Sequence, residues 1–317
     1  MATSNRTDTA ASLLELEGVT CGRVQSVDGG AISAEVFTEP AGAAPFARKH
    51  IGPPRYEEFV LQFGLSMNRA VYDWIAAMWM GQPARRSGAL VTAGVDMVAR
   101  SRREFRDALI TEVTIPAADA GARDPVYLIM KFAPTRILQI EASGKVPGAL
   151  DTSAKTPWLS SNFRLEIEGL DCRRVSRINA LTVRQTPASD AASGALEPAA
   201  VEFPNLAITL PEIGARSWSD WHKDFVVEGN NGDSNEKRGA LIFLSPDLRT
   251  ELIRISFANL GIYRLAPAKP AAGAAAIRRL TAELYCERME FRVADHAALR
   301  SAAPARRAKR TKARRAR

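Results

Sequence analysis

Residues 17–24 read EGVTCGRV and residues 168–175 read EGLDCRRV, identical at five of eight positions and 151 residues apart. One octet can recur by chance, whereas a duplication requires further matches in the same order at nearly the same spacing. Asp73-Trp74 recurs as Asp220-Trp221 at an offset of 147, and Gly88-Ala89-Leu90 recurs as Gly239-Ala240-Leu241 at 151. Asp96 meets Asp247 at 151, and Phe105 meets Phe257 at 152. The drift is what loop insertions and deletions produce. A period this long is far beyond the ~20–50 residues of solenoid units, so each copy is expected to be a whole domain. With 317 residues, 46% of them hydrophobic and 25% charged, the chain can build two cores of roughly 150 residues each.

The first twelve residues are polar and hold no apolar core of signal-peptide length, and no apolar run approaches the ~18 residues of a membrane span. The expectation is therefore cytoplasmic assembly without a signal peptide and without a membrane span. Cys21, Cys172 and Cys286 form no C-x-x-C pair and leave one thiol over, which suits reduced, buried thiols better than a disulfide framework. Cys21 and Cys172 are also repeat equivalents, so packing accounts for them.

The formal charge of +8 is concentrated at the end of the chain. Arg306, Arg307, Lys309, Arg310, Lys312, Arg314, Arg315 and Arg317 supply eight positive charges with no acid among them, and the remainder of the chain is formally neutral. Such a block repels itself and buries nothing, so disorder is expected. These eight residues are the candidate contacts to a polyanion or nucleic acid, acting by phosphate neutralisation. The alternative is a solubilising terminus, because no aromatic residues are interleaved for base stacking.

Comparing the copies gives the secondary structure. Ile32, Ala34 and Val36 alternate as half-buried strands do, as do Phe59, Leu61 and Phe63. Leu181 and Val183, then Leu206, Ile208 and Leu210, repeat the pattern. Val71, Trp74, Ile75, Met78 and Trp79 form one apolar helical face, with Ser66 as the expected N-cap. Trp218, Trp221, His222 and Phe225 are the sister stripe. Val113 and Ile115, then Val126, Leu128, Met130 and Phe132, are echoed by Ile262 and by Leu280, Ala282 and Leu284. The fold class is mainly β with one helix per domain (α+β): two tandem β-barrel or rolled-sheet domains at 13–143 and 162–294, a linker at 144–161 and a basic tail at 295–317. Residues 187–200 and 266–276 read as long surface loops of the second copy.

The chemistry-bearing inventory is thin. His50, His222 and His296 are scattered, and no nucleophile elbow, metalloprotease helix, P-loop or Rossmann glycine run is present. Residues 229–236, GNNGDSNE, are rich in oxygen donors but lack the alternating acids and twelfth-position glutamate of an EF-hand, so a hydrophilic turn is expected. No catalytic, cofactor-binding or metal-binding residue is assigned and no cofactor is expected. An enzyme site at the domain interface is the alternative, which converging ionisable groups there would support. Asp73 and Asp220, as repeat equivalents, point to shared architecture.

The run KHIGPPRYEEFVLQFGL at 49–65, followed by Trp74-Ile75, the Gly88 turn and Phe105, resembles the tail tube proteins of contractile phages and related contractile injection systems. Their similar pattern is a basic-Gly-x-x-Tyr segment entering a strand, a Trp-bearing helix and a Phe before the closing strands. Ala118-Asp119 and Asp124-Pro125-Val126-Tyr127-Leu128 look like the end of that family's domain, so the likeness covers most of 18–140. The second copy departs from it, with Glu202-Phe203-Pro204 in place of the Tyr-bearing entry and the insertion at 229–237.

The resemblance implies β-barrel-like domains that join six-fold rings, stack into a tube and line a channel, with other tube, hub or sheath components as partners. Two domains per chain then imply that three chains complete one ring, a pseudo-six-fold homo-oligomer able to join a tube to a three-fold hub. A true hexamer would instead put one domain in the wall and the other outside it. Unpaired strand edges are the natural means of assembly, and residues 25–52 are where such an edge is expected; an ordinary hairpin is the alternative there.

Overall fold

The computed structural model describes residues 11–40, 46–82, 84–146, 158–186, 188–189, 196–197, 200–268 and 278–294. Most of the expected linker and the whole basic tail lie outside these residues. The N-terminal half runs β1 (Ala11–Leu16), β2 (Val19–Val24), β3 (Ser26–Gly29), β4 (Ile32–Glu39), β5 (Arg48–Tyr56), β6 (Phe59–Phe63), α1 (Arg69–Trp79), β7 (Arg86–Ala93), β8 (Ala99–Ile115), β9 (Ala118–Asp119), β10 (Leu128–Ala133) and β11 (Arg136–Glu141). The C-terminal half runs β12 (Phe163–Ile167), β13 (Arg177–Ile178), β14 (Leu181–Gln185), β15 (Ala188–Ser189), β16 (Leu196–Glu197), β17 (Val201–Glu202), β18 (Leu206–Pro211), α2 (Arg216–His222), β19 (Lys237–Leu244), β20 (Glu251–Pro267) and β21 (Arg279–Val293). The fold is mainly β, with one α-helix in each half.

The two halves order their strands alike. The first sheet runs β2-β1-β7-β8-β10-β6-β3, and the second runs β12-β19-β20-β21-β18-β13 before ending on β9. Register matches as well as order. Leu14 lies opposite Leu90 and Leu165 opposite Leu241, while Leu16 faces Gly88 and Ile167 faces Gly239. Val27 faces Leu61 and Ile178 faces Ile208; Met130 faces Leu61 and Ala282 faces Ile208. The long strand β21 does the work of β10 and β11 together, which are separated at Pro134, a residue with no N–H to offer a ladder.

The irregularities recur too. The register slip that skips Thr111 between β8 and β10 has its counterpart at Tyr263 between β20 and β21, 152 residues on. Met97 and Leu248, 151 apart, hold φ of 58° and 59°, and Asp107 and Asn259, 152 apart, hold 47° and 57°. A left-handed backbone at a non-glycine residue costs about 1–3 kcal/mol, so each is retained only where its surroundings enforce it. Asp96 Oδ1 accepts the Val98 N–H at 3.1 Å and Asp247 Oδ1 accepts the Arg249 N–H at 2.9 Å, one turn chemistry used twice.

The opening octets are explained by the same contact made twice. The main-chain N–H groups of Glu17 and Glu168 donate to the carbonyls of Ser87 and Arg238, and their carboxylates accept the N–H groups of those same residues at 3.0 and 3.4 Å. Gly18 and Gly169 turn the chain at φ 79° and 73°. The recurring Asp-Trp pairs resolve likewise: each tryptophan is buried, and each aspartate makes an i,i+4 ion pair, Arg69–Asp73 at 3.4 Å and Arg216–Asp220 at 3.7 Å.

Three expectations need correction. The sheets are open at their ends rather than closed barrels, because period-2 alternation specifies a strand but not closure. The N-cap of α1 is Asn68, whose Oδ1 accepts the Ala70 N–H at 3.0 Å, and not Ser66, which lies outside the first turn. Ile32 and Val36 are 49% and 58% exposed, because among the described residues β4 pairs only with β5, in a separate two-stranded ribbon, instead of lying on the core. The ribbon is the hairpin alternative for residues 25–52.

The first helical face holds as read, with Val71, Trp74, Ile75, Met78 and Trp79 buried; in the second stripe Trp218, Trp221 and Phe225 are buried and His222 is half-buried. In the second half α2 passes into one π turn, Lys223–Val227, which keeps Phe225 on the buried face. The main hydrophobic core contains residues of both halves without a break. The three cysteines are free thiols, and burial pushes Cys172 and Cys286 up to about 11 and Cys21 up in the same direction.

Candidate assembly interface

The two halves meet strand to strand. β14 lies antiparallel on β8, with Leu181 opposite Ile115, Thr182 opposite Thr114, Val183 opposite Val113 and Arg184 opposite Glu112. Its apolar side is closed, with Val113, Ile115 and Val183 fully buried and Leu181 1% exposed. On the other side the Thr114 and Thr182 hydroxyls are 3.0 Å apart, and Glu112 takes Lys131 Nζ at 2.9 Å and Arg184 Nε at 3.0 Å. Beside it β13 pairs with β9, Arg177 reaching Asp119 at 3.2 Å. Trp79 of α1 completes the seam, packing on Phe291 at 5.5 Å and edge-on to Phe203 at 6.1 Å.

Burial alone would raise the Glu112 carboxyl, but its hydrogen bonds to Lys131 and Arg184 outweigh that and hold it below the usual carboxylate range. A depressed folded-state pKa contributes stability that is complete above the unfolded-state value of about 4.3 and is lost as pH falls through the folded-state value. Glu112→Gln is therefore expected to lower the melting temperature at pH 7 while leaving a shallower loss of stability between about pH 4.5 and 2 than the parent chain shows. Thermal melts across that range check it; parallel pH profiles would remove Glu112 from the seam's energetics.

Each half carries the same two surfaces, yet one chain uses one of each. β14 gives one edge to β17, with Arg184 opposite Glu202 and Gln185 opposite Val201, and its other edge to β8. Its counterpart β4 gives one edge to β5, with Ser33 opposite Arg55 and Ala34 opposite Pro54, and among the described residues no strand takes its other edge. On the receiving side, β8 accepts β14 along 112–115, beyond the reach of β7, which ends opposite Ala108. The counterpart stretch of β20, 264–267, pairs with β21 on one side, and β19 stops opposite Leu260 on the other. Where α1 presents Trp79, the π turn after α2 presents Val226 and Val227, 41% and 70% exposed.

A cleft at the seam between α1 and β21 is lined by Arg69, Tyr72, Asp73, Glu290 and Arg292 among others. These groups are spent on one another. Arg69 pairs with Asp73, Arg292 with Glu290 at 3.5 Å, and the Tyr72 hydroxyl donates to the Gly64 carbonyl at 3.2 Å, its pKa driven upward by burial. The arrangement offers ion pairs and a capped phenol rather than a nucleophile beside a base.

His50 is exposed on β5 with Glu39 at 3.5 Å, and His222 is half-buried at the end of α2. The 229–236 segment is an exposed turn tied inward: Asn230 Nδ2 donates to Asp224 at 2.7 Å, and Glu236 accepts from Asn259 and from the Tyr285 hydroxyl, both at 2.6 Å. The eight basic residues from Arg306 to Arg317 lie outside the described residues, as do linker positions 147–157. The seam residues Glu112, Thr114, Thr182 and Arg184 were not singled out by sequence reasoning, since nothing local marks two strands 68 residues apart as partners.

No protein-family model and no curated protein matches the chain. Among solved structures, it is similar to a chain of the sheath–tube complex of an extracellular contractile injection system (PVC) in its extended state, at 16% identity and a TM-score of 0.37, over 44% of this chain and 95% of that one. It is also similar to a chain of the six-fold symmetrised baseplate of the anti-feeding prophage, at 13% identity and a TM-score of 0.31, over 41% and 92%. A third similarity is to a chain of the tube-terminating cap of the same prophage, at 15% identity and a TM-score of 0.28, over 41% and 89%. These structures are components of phage-tail-like contractile injection particles.

Proposed function

We propose that this chain is an internally duplicated structural subunit of a phage-tail-like contractile injection apparatus, which forms or adapts the inner tube as a ring of three chains presenting six like positions. The observation that carries the reading is the β8–β14 seam, whose counterpart surfaces on β4 and β20 have no strand laid on them among the described residues: a head-to-tail contact between like units, already made once inside one polypeptide. Head-to-tail contacts either close into rings or run on as filaments. The equal pairing registers and recurring left-handed residues support the duplication, and the resemblance of residues 49–65 and the elements after them supports the tail-tube assignment. A three-fold ring of pseudo-six-fold shape suits a junction between a tube and a three-fold hub.

The test is electron microscopy of the purified protein. Rings or short stacked tubes with a central channel are expected, and monomeric particles across protein concentration and salt would overturn the reading.

A further inference from the structure

We infer that β4 of one chain adds to β20 of the next along 264–267, the edge that no described strand takes, in the register that β14 takes on β8, with Ile32 opposite Leu265. The inference rests on the ring-forming reading above and names the contact that would close it.

The register follows from the pairings already described. Arg184 opposite Glu202 and Gln185 opposite Val201 correspond to Ser33 opposite Arg55 and Ala34 opposite Pro54, which equates Val183 with Ile32. On the receiving strand, Val113 faces Met130 and Leu265 faces Ala282, each beside the shared register slip, which equates Val113 with Leu265. The buried Val183–Val113 pair thus becomes Ile32–Leu265 between chains. Ile32 is 49% exposed and Leu265 half-exposed in the single chain, as two halves of an unmade contact would be.

Charge supports a second copy of this chain as the occupant. Within the chain, Glu112 sits between Lys131 on β10 and Arg184 on the incoming strand. The counterparts of Glu112 and Lys131 are Arg264 and Glu283, which pair with each other, so the signs are exchanged. The incoming β4 then brings Ser33, whose hydroxyl can accept from a guanidinium, opposite Arg264, while Glu35, at the bulge two residues on, stays paired with Arg55 of its own chain. A neutral serine stands where Arg184 would have faced Arg264, so the change of sign on the receiving strand meets no like charge. Phe203 and Phe291, which hold Trp79, correspond to the half-buried Tyr56 and the exposed Gln139, so of that aromatic pair the Tyr56 ring is what would meet the exposed Val226. Main-chain pairing supplies the affinity in such strand addition, and the side chains set register and partner.

The experiment uses the full chain carrying Ile32→Cys and Leu265→Cys, treated with a short bis-thiol-reactive linker and analysed by denaturing gel and by native mass. Assembled protein should yield a ladder of covalent oligomers, whereas either single variant, or Ile32→Cys combined with Leu248→Cys in the exposed turn between β19 and β20, should not. Ile32→Asp, a change at an exposed site that leaves the fold intact, should raise the concentration for half-assembly at least about tenfold, the equivalent of roughly 1.4 kcal/mol. Rings of normal mass without cross-linking above the single-variant level would overturn this contact and leave the ring reading standing. Absence of any ring from the parent chain would overturn both.

Discussion

Trp79→Ala is expected to destabilise the chain by about 3–5 kcal/mol, the cost of deleting a large buried aromatic and leaving the cavity behind. Trp79 is 2% exposed and is the side chain of α1 that packs on aromatic residues of the other half, Phe203 and Phe291. The loss should therefore fall on the seam. Urea denaturation of the variant is expected to show a broadened or divided transition, where the parent gives one. The indole nitrogen has no hydrogen-bond partner among the described residues, so the contribution lies in ring packing. Trp79→Phe keeps one ring and removes the unpartnered N–H, and should cost only about 1–2 kcal/mol. Equal losses for the two variants would place the stabilisation somewhere other than the aromatic stack.

Gly88→Ala is expected to cost about 1–3 kcal/mol or more, and Gly239→Ala a comparable amount, as overpacking against backbone that cannot move aside. A Cβ on Gly88 would overlap the Glu15 carbonyl oxygen and come within 2.8 Å of the Phe105 ring; one on Gly239 would press on the Glu166 carbonyl oxygen at 2.6 Å and on Ile167 at 3.0 Å. The two glycines hold matching places in the two halves, Gly88 opposite Leu16 and Phe105 and Gly239 opposite Ile167 and Phe257. Because the core is continuous across the halves, either change should lower the same cooperative transition, and the double variant should approach the sum expected of distant sites. Calorimetry showing that each variant shifts a different one of two transitions would contradict a shared core.

Much of this fold was legible because the recurring motifs let one half of the chain check the other. Leu128, Met130 and Phe132 align with Leu280, Ala282 and Leu284 in the pairings as they do in the text, and the tryptophan stripes lie where 3.6-residue spacing puts them. The failures have a common physical origin. Ile32, Ala34 and Val36 alternate as core strands do, but alternation records only that one face is apolar, not what covers it. The π turn after α2 hides in the sequence because the residue it accommodates leaves Phe225 on the expected face.

The candidate interface was less legible than the fold. An assembly edge was expected within residues 25–52, where the chain forms the β4–β5 ribbon, and no pattern in the sequence names β20 as the receiver proposed for it. Pairing between strands of different copies depends on how whole domains dock, and no local periodicity encodes that. Glu112 and Arg184 are ordinary surface charges until β14 is laid beside β8. Once that seam is known, the sign exchange at Arg264 and Glu283 becomes meaningful.

Native mass measurement of the assembled particle tests the central claim most directly. Three chains per ring are expected if each chain supplies two of six like positions; six chains per ring, or a monomer at every concentration, would contradict it.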